Sequence, residues 1–172
     1  MKALWIKISR EFLLPAISLQ RANAVCSVEV WIGVLRNLDV ETRWALYGEW
    51  KDSLYKRHAE MRVVAVEMDR EVKGVLRRLS SKNVSQMART IAKLAYSNPC
   101  IVFPNIVRQV ESYENMAATM IDSFRFILHM GFDVLSYILL EAFADNSKQR
   151  VKNDGTNASL WLQSEFLSLI LI

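Results

Sequence analysis

The sequence predicts an all-α protein, an irregular α-solenoid or helical-hairpin array of about seven to nine helices. Three observations predict it. Apolar residues recur at three- and four-residue steps through most of the 172 residues, and no stretch makes a defensible strand. Only 5 Gly and 3 Pro are present, too few for the tight hairpins of a sandwich or barrel made of many short strands. With 52% hydrophobic residues, the chain is long enough for one continuous core or several stacked helical pairs. Each helix has only one apolar face, so stability has to come from neighbours laid side by side.

The first helix runs to about Leu19, with Leu4, Ile8, Phe12, Leu13 and Ile17 on one face and Pro15 kinking or dividing it. Ser27 is placed to cap a short helix carrying Val30, Trp31, Val34 and Leu35, and Asp39 to cap another with Trp44, Leu46, Tyr47 and Trp50 along it. Glu41, in the first turn of the latter, suits the helix dipole. Between His58 and Leu79 the apolar positions Met61, Val64, Met68, Val72, Val75 and Leu79 follow steps of 3, 4, 4, 3 and 4, the cleanest stripe in the chain.

Asn83 and Gln86 have capping-box spacing ahead of Val84, Met87, Ala88, Ile91 and Ala95. That helix ends near Asn98, because the residue before Pro99 is disfavoured in the α region. Asn98 is then expected to cap the next helix, with Pro99 at its first position and Val102, Phe103, Ile106, Val107 and Val110 as its stripe. Pro104 falls in the early turns, where it distorts the helix without breaking it. Two further helices are expected over 116–130 and 134–144, with Gly131 as the left-handed residue between them and Asp133 as the second one's cap. Residues 146–156 read as the one real loop, and a last helix begins near Ala158 with Leu160, Trp161, Leu162, Phe166, Leu167, Leu169 and Ile170.

Charge and motifs exclude several function classes. A net charge of +4, with both signs scattered, is too weak to predict nucleic-acid binding. Cys26 and Cys100 lie far apart without C-x-x-C spacing or paired histidines, so the metal-site templates fail and two buried, reduced thiols are expected. Lys7, Arg10 and Glu11 break any signal-peptide core, and no run approaches the length needed to span a bilayer. The five glycines, at 33, 48, 74, 131 and 155, fit neither a phosphate-binding loop nor a dinucleotide fingerprint. His58 at a helix start and His129 near a helix C-terminus read as structural, leaving no nucleophile with its base, and no cofactor is expected.

The best basic cluster is Arg70, Lys73 and Arg77, opposite the apolar stripe of its helix, with Arg78 and Lys82 following. It is the candidate interaction face, for phosphates or an acidic partner helix, set against the plainer reading of a solvated face flanked by Glu67 and Glu71. Five tryptophans read mostly as core, with one or two as partner anchors.

As strings, PAISLQRANAVCSVEVW (15–31), TRWALYGEWKDSLY (42–55), RLSSKNV (78–84), IAKLAYSNPCIVFPNIVRQVESYENM (91–116), IDSFRFILHMGFDVLSYILLEAF (121–143) and WLQS (161–164) are similar to the family of the second and largest subunit of the THO complex. The combination of R-x-x-LYG-x-W-K, K-L-x-x-SNP and D-VL-Y-x-x-x-EA carries the resemblance, which covers roughly residues 12 to 164 in the family's order. It implies an elongated helical nuclear scaffold, organising the THO core of the transcription–export (TREX) assembly, with other THO subunits as partners and the messenger ribonucleoprotein reached indirectly. It carries over no catalytic residue and no RNA site to this segment, and no membrane partner is expected.

Members of that family are many times longer, so the chain is expected to be an internal segment or truncated product: a helical unit over 1–164 and an apolar extension, EFLSLILI, over 165–172. A helical array with an uncovered apolar end is expected to self-associate, and a monodisperse monomer on size-exclusion chromatography at micromolar concentration would contradict this. The alternative function is a helical nucleic-acid-binding module using the basic face.

Overall fold

The computed structural model describes residues 2–113 and 116–144. The expected loop at 146–156, the last helix and the extension at 165–172 lie outside the described residues. Within them the fold is all-α, without a strand. The chain opens with α1 (Lys2–Ile8), a π segment (Ser9–Leu13) and α2 (Leu14–Leu19) in direct succession. Next come α3 (Ala24–Gly33), a 3₁₀ turn (Leu35–Asn37), α4 (Val40–Glu49), a second π segment (Trp50–Leu54) and α5 (Tyr55–Arg57). α6 (Ala59–Arg78), α7 (Val84–Ser97) and α8 (Pro99–Ser112) follow through short turns, and α9 (Ala117–Asp122) and α10 (His129–Ala144) close the described chain.

Pro15 neither breaks nor ends the first helix. Its ring crowds the carbonyl four residues earlier and removes a donor, and the π turn over Ser9–Leu13 absorbs the mismatch so that α2 continues with Leu14 and Ile17 buried. Pro104 likewise sits inside an unbroken α8. That helix is the centre of the fold, packed by α6, α7 and α10, with Val102, Phe103, Ile106, Val107 and Val110 all buried. α2 reaches α6 and α7, and α3 reaches α7 and α10, so the early helices fold back over the later ones. The core runs from Leu14 to Leu139 as one cluster.

Several expected caps are made differently. Asp39 does cap α4, accepting from the Thr42 amide at 3.0 Å and the Thr42 hydroxyl at 2.7 Å. Asn23, not Ser27, caps α3 by accepting from the Cys26 amide at 3.0 Å, while Ser27 lies buried within that helix. Asn83 precedes α7, but its amide serves the helix before it, donating to the Arg78 carbonyl at 2.7 Å and accepting from the Ser80 amide at 2.8 Å. An orphan carbonyl at the end of α6 thus gains a donor, and the side-chain oxygen that a capping box would have offered to α7 accepts from Ser80 instead.

Asn98 makes no side-chain cap for α8 either. It is 1% exposed, and its amide joins three parts of the chain: Oδ1 accepts from the Tyr55 hydroxyl at 3.0 Å, and Nδ2 donates to the Ser18 carbonyl at 3.2 Å. The Ser18 hydroxyl in turn accepts from Trp50 Nε1 at 2.9 Å and donates to the Leu14 carbonyl at 2.8 Å. This buried relay ties α2, the second π segment, α5 and the α7–α8 joint together, leaving each polar atom named here with a partner.

The largest departure lies between Met116 and Ala144. α9 is only six residues long, because the buried Ser123 hydroxyl turns back onto the Met120 carbonyl and the chain folds through Phe124 and Ile127 before α10 starts. Gly131 is therefore inside α10 and not a left-handed linker, and Asp133 is not a cap. A Cβ at Gly131 would lie 2.6 Å from Ile127 Cγ2, while the Phe103 ring at 3.6 Å would be in ordinary contact, so the bare backbone is what lets the chain around Ile127 fold tightly against the first turn of α10. Gly131→Leu is expected to destabilise by about 2–3 kcal/mol through overpacking, read from the midpoint of urea unfolding followed by circular dichroism.

Burial raises the hydroxyls of Tyr47, Tyr55 and Tyr137 above the ordinary tyrosine value, with Asp133 adding to the effect on Tyr47 and Glu141 to that on Tyr137. A raised value means the folded state holds the proton more tightly than the unfolded chain. Stability is then intact below about pH 10, the unperturbed tyrosine value, and is lost as pH rises beyond it. Thermal melts at pH 8 and pH 11 should show a lower midpoint at the higher pH, and equal midpoints would contradict the burial of these hydroxyls.

Candidate docking surface

α6 supports two stripes. Met61, Met68, Val72, Val75 and Leu76 are buried against the core. On the opposite side Ala59, Val63, Val66, Arg70, Lys73 and Arg77 succeed one another at steps of 4, 3, 4, 3 and 4, and every one is exposed. Val63 is 57% and Val66 59% exposed, so neither contributes to the core, and the stripe is apolar in its first half and basic in its second. The sequence reading found Arg70, Lys73 and Arg77 and placed Val64 on the buried face, but passed over Val63 and Val66. Their spacing to Arg70 is the signal that finds them.

Arg78 is also exposed but stands about 100° round the helix from Arg77, off the stripe. Its Nε donates to the Gly74 carbonyl at 2.9 Å, and Arg77 Nε to the Lys73 carbonyl at 3.2 Å, so both guanidiniums lie over the closing turns, where the helix dipole favours a cation. Lys73 pairs with Asp69 at 2.7 Å. Partial burial works to raise the Asp69 carboxyl, but hydrogen bonds from Lys73 and Asn105 outweigh it and hold the group below its usual value. Glu67 is bridged to Arg21.

Other candidate groups are dispersed. His58 is exposed and opens α6. His129 opens α10 instead of closing a helix, so the dipole argument made for it from the sequence does not hold. Cys100 is buried beneath the Tyr47 carbonyl, and burial raises its thiol well above the ordinary value, which makes it a poor nucleophile. Cys26 is only half-buried and donates to Gln20 Oε1 at 3.3 Å. Trp50 is the one fully buried tryptophan among the described residues; Trp31 and Trp44 pack half-buried against the core and Trp5 is exposed.

A cluster that sequence spacing cannot show lies between α4 and α10. Arg43 meets Asp133 through two hydrogen bonds, at 2.7 and 3.0 Å, the Tyr47 hydroxyl donates to Asp133 at 2.7 Å, and the guanidinium lies 5.4 Å over the Trp31 ring. Each of the three guanidinium nitrogens has a partner, Nη1 donating to the Leu38 carbonyl at 2.9 Å, so the cluster fixes one helix on another. An open groove of about 560 Å³ runs past Lys51, Pro104, Arg108, Glu111, Ile138 and Glu141. Lys51 is paired with Glu141, and among the described residues no histidine, thiol or hydroxyl lines this groove. Among the described residues no cluster suits a metal ion, and no helix is long and apolar enough to cross a membrane.

Residues 1–89, just over half of the 172, match the sequence model described as the THO complex subunit 2 N-terminus. The chain belongs to the THO complex subunit 2 family. Residues 91–165 match a second model, described as a transcription- and export-related complex subunit. The two matches meet inside α7, a single unbroken helix packed on α6 and α8. Curated THO complex subunit 2 relatives extend along nearly the whole chain: 36% identity over 159 residues in Homo sapiens (92% of this chain, 10% of the relative), 35% over 153 in Arabidopsis thaliana (88% and 8%), and 28% over 159 in Saccharomyces cerevisiae (92% and 10%). The chain spans about a tenth of the length of the curated relatives it matches.

Proposed function

We propose that the segment is a non-enzymatic scaffold piece of the THO complex, acting in the nucleus through protein–protein contacts that couple transcription to messenger-RNA processing and export. Residues 1–164 would form its helical unit. The observation that carries this reading is the pairing of family membership with an α6 that is buried on one face and leaves a continuous apolar and basic stripe on the other. A rigid helical array of this kind offers surfaces, and its less exposed ionisable groups serve ties within the fold, such as Arg43–Asp133 and Lys51–Glu141. Other THO subunits are the expected partners. Affinity purification of the tagged full-length gene product from nuclear extract tests this: THO subunits should be recovered in near-equal amounts, and their absence would overturn the reading.

A further inference from the structure

We propose that the exposed stripe of α6 is a docking seam for an amphipathic helix of a partner protein, apolar where it covers Val63 and Val66 and acidic where it covers Arg70, Lys73 and Arg77. This rests on the scaffold reading above and names the chemistry of one of its partners. The spacing of 4, 3, 4, 3 and 4 from Ala59 to Arg77 is the seam along which one helix receives the side chains of another. It is separate from the stripe that holds α6 to the core. At 20 residues α6 is about 30 Å long, enough for five to six turns of a companion helix.

The composition of the seam selects a protein helix over a nucleic acid. Val63 and Val66, each more than half exposed, are apolar area to be covered by apolar side chains, and phosphates gain nothing there. The basic half carries three cations and no acid of its own, with Lys73 shared with Asp69 beside the stripe, so glutamates or aspartates at the spacing of Arg70 and Arg77 would complement it. Over the whole helix, however, Arg62, Arg70, Lys73, Arg77 and Arg78 face Glu60, Glu67, Asp69 and Glu71, a net charge of only 5 − 4 = +1. A nucleic-acid backbone laid along the stripe would run between those acids, and the stripe offers no aromatic ring for a base to stack on.

The test uses the 172-residue chain and three fluorescent probes read by anisotropy. The first is a synthetic helical peptide of about 20 residues with leucines at the seam spacing in one half and glutamates in the other; the second has lysines in place of the glutamates; the third is a single-stranded RNA of about 15 nucleotides. The acidic peptide should bind saturably. Its affinity should fall about tenfold or more in an Arg70→Glu/Lys73→Glu/Arg77→Glu variant, which should instead take the lysine peptide, and should also fall in Val63→Ser/Val66→Ser. All these positions are exposed, and unchanged helical circular dichroism verifies the fold. Failure of the acidic peptide to bind, binding indifferent to both variants, or RNA binding that is lost on charge reversal and untouched by the serines would overturn the seam. These outcomes are separable from failure of the scaffold reading, which is decided by whether wild-type full-length product recovers THO subunits at all.

Discussion

Asn98→Leu is expected to lower the stability of the fold by about 2–4 kcal/mol, with urea unfolding shifted to a lower midpoint at unchanged slope. The substitution keeps the number and branching of the side chain's heavy atoms and removes both of its hydrogen bonds, so the loss is not a cavity effect. It takes from the Tyr55 hydroxyl the acceptor it donates to and from the Ser18 carbonyl the amide donor it accepts from, in a site where Asn98 is 1% exposed. Each orphaned buried group costs roughly 1–3 kcal/mol. Tyr55→Phe removes one end of the relay and should cost less, and Asn98→Leu combined with Tyr55→Phe should cost less than the two changes summed, because the leucine no longer strands a hydroxyl. Strict additivity would mean that the relay is not a physical unit.

Asp133→Ala is expected to destabilise by about 2–4 kcal/mol, read in the same way. The side chains of Arg43 and Asp133 are 11% and 17% exposed, so removal of the carboxylate strands a poorly solvated guanidinium and a buried Tyr47 hydroxyl together. The charge itself is the issue. In Arg43→Met/Asp133→Leu neither partner is left ionised, and this double variant should be more stable than Asp133→Ala despite carrying two changes. If it were less stable, the cluster would be a net source of folding energy rather than a device that fixes α10 against α4.

Wherever local rules decided, the sequence showed the fold. The stripe from Met61 to Leu79, the Asn98-Pro99 joint and the Asp39 cap depend on residues within a few turns of each other, and all three stand in the structure. The misplaced features share one cause. Ser27, Asn83 and Asn98 were assigned to the nearest helix start by residue type, whereas Asn83 and Asn98 bond elsewhere, Asn98 to a carbonyl 80 residues away. Gly131 reads as a linker until α9 is known to end at Asp122 and α10 to begin at His129, and those bounds depend on the burial of Phe124 and Ile127 in the core. Arg43 and Asp133, 90 residues apart, are invisible as a pair for the same reason. Of the candidate site, the basic half was legible because charge opposite an apolar stripe is a periodic signal. The apolar half was not, since the adjoining Val64 satisfied the core pattern and the two exposed valines looked like its neighbours.

The central claim is that α6 keeps one face for its own core and holds the other for a partner. Val66→Cys tests it most directly, through the rate at which a maleimide labels that thiol above the background of Cys26, in the isolated chain and in the assembled complex purified with the full-length product. The account predicts rapid labelling in the isolated chain and strong protection in the complex. Equal, rapid labelling in both would show the stripe to be nothing more than a solvated face.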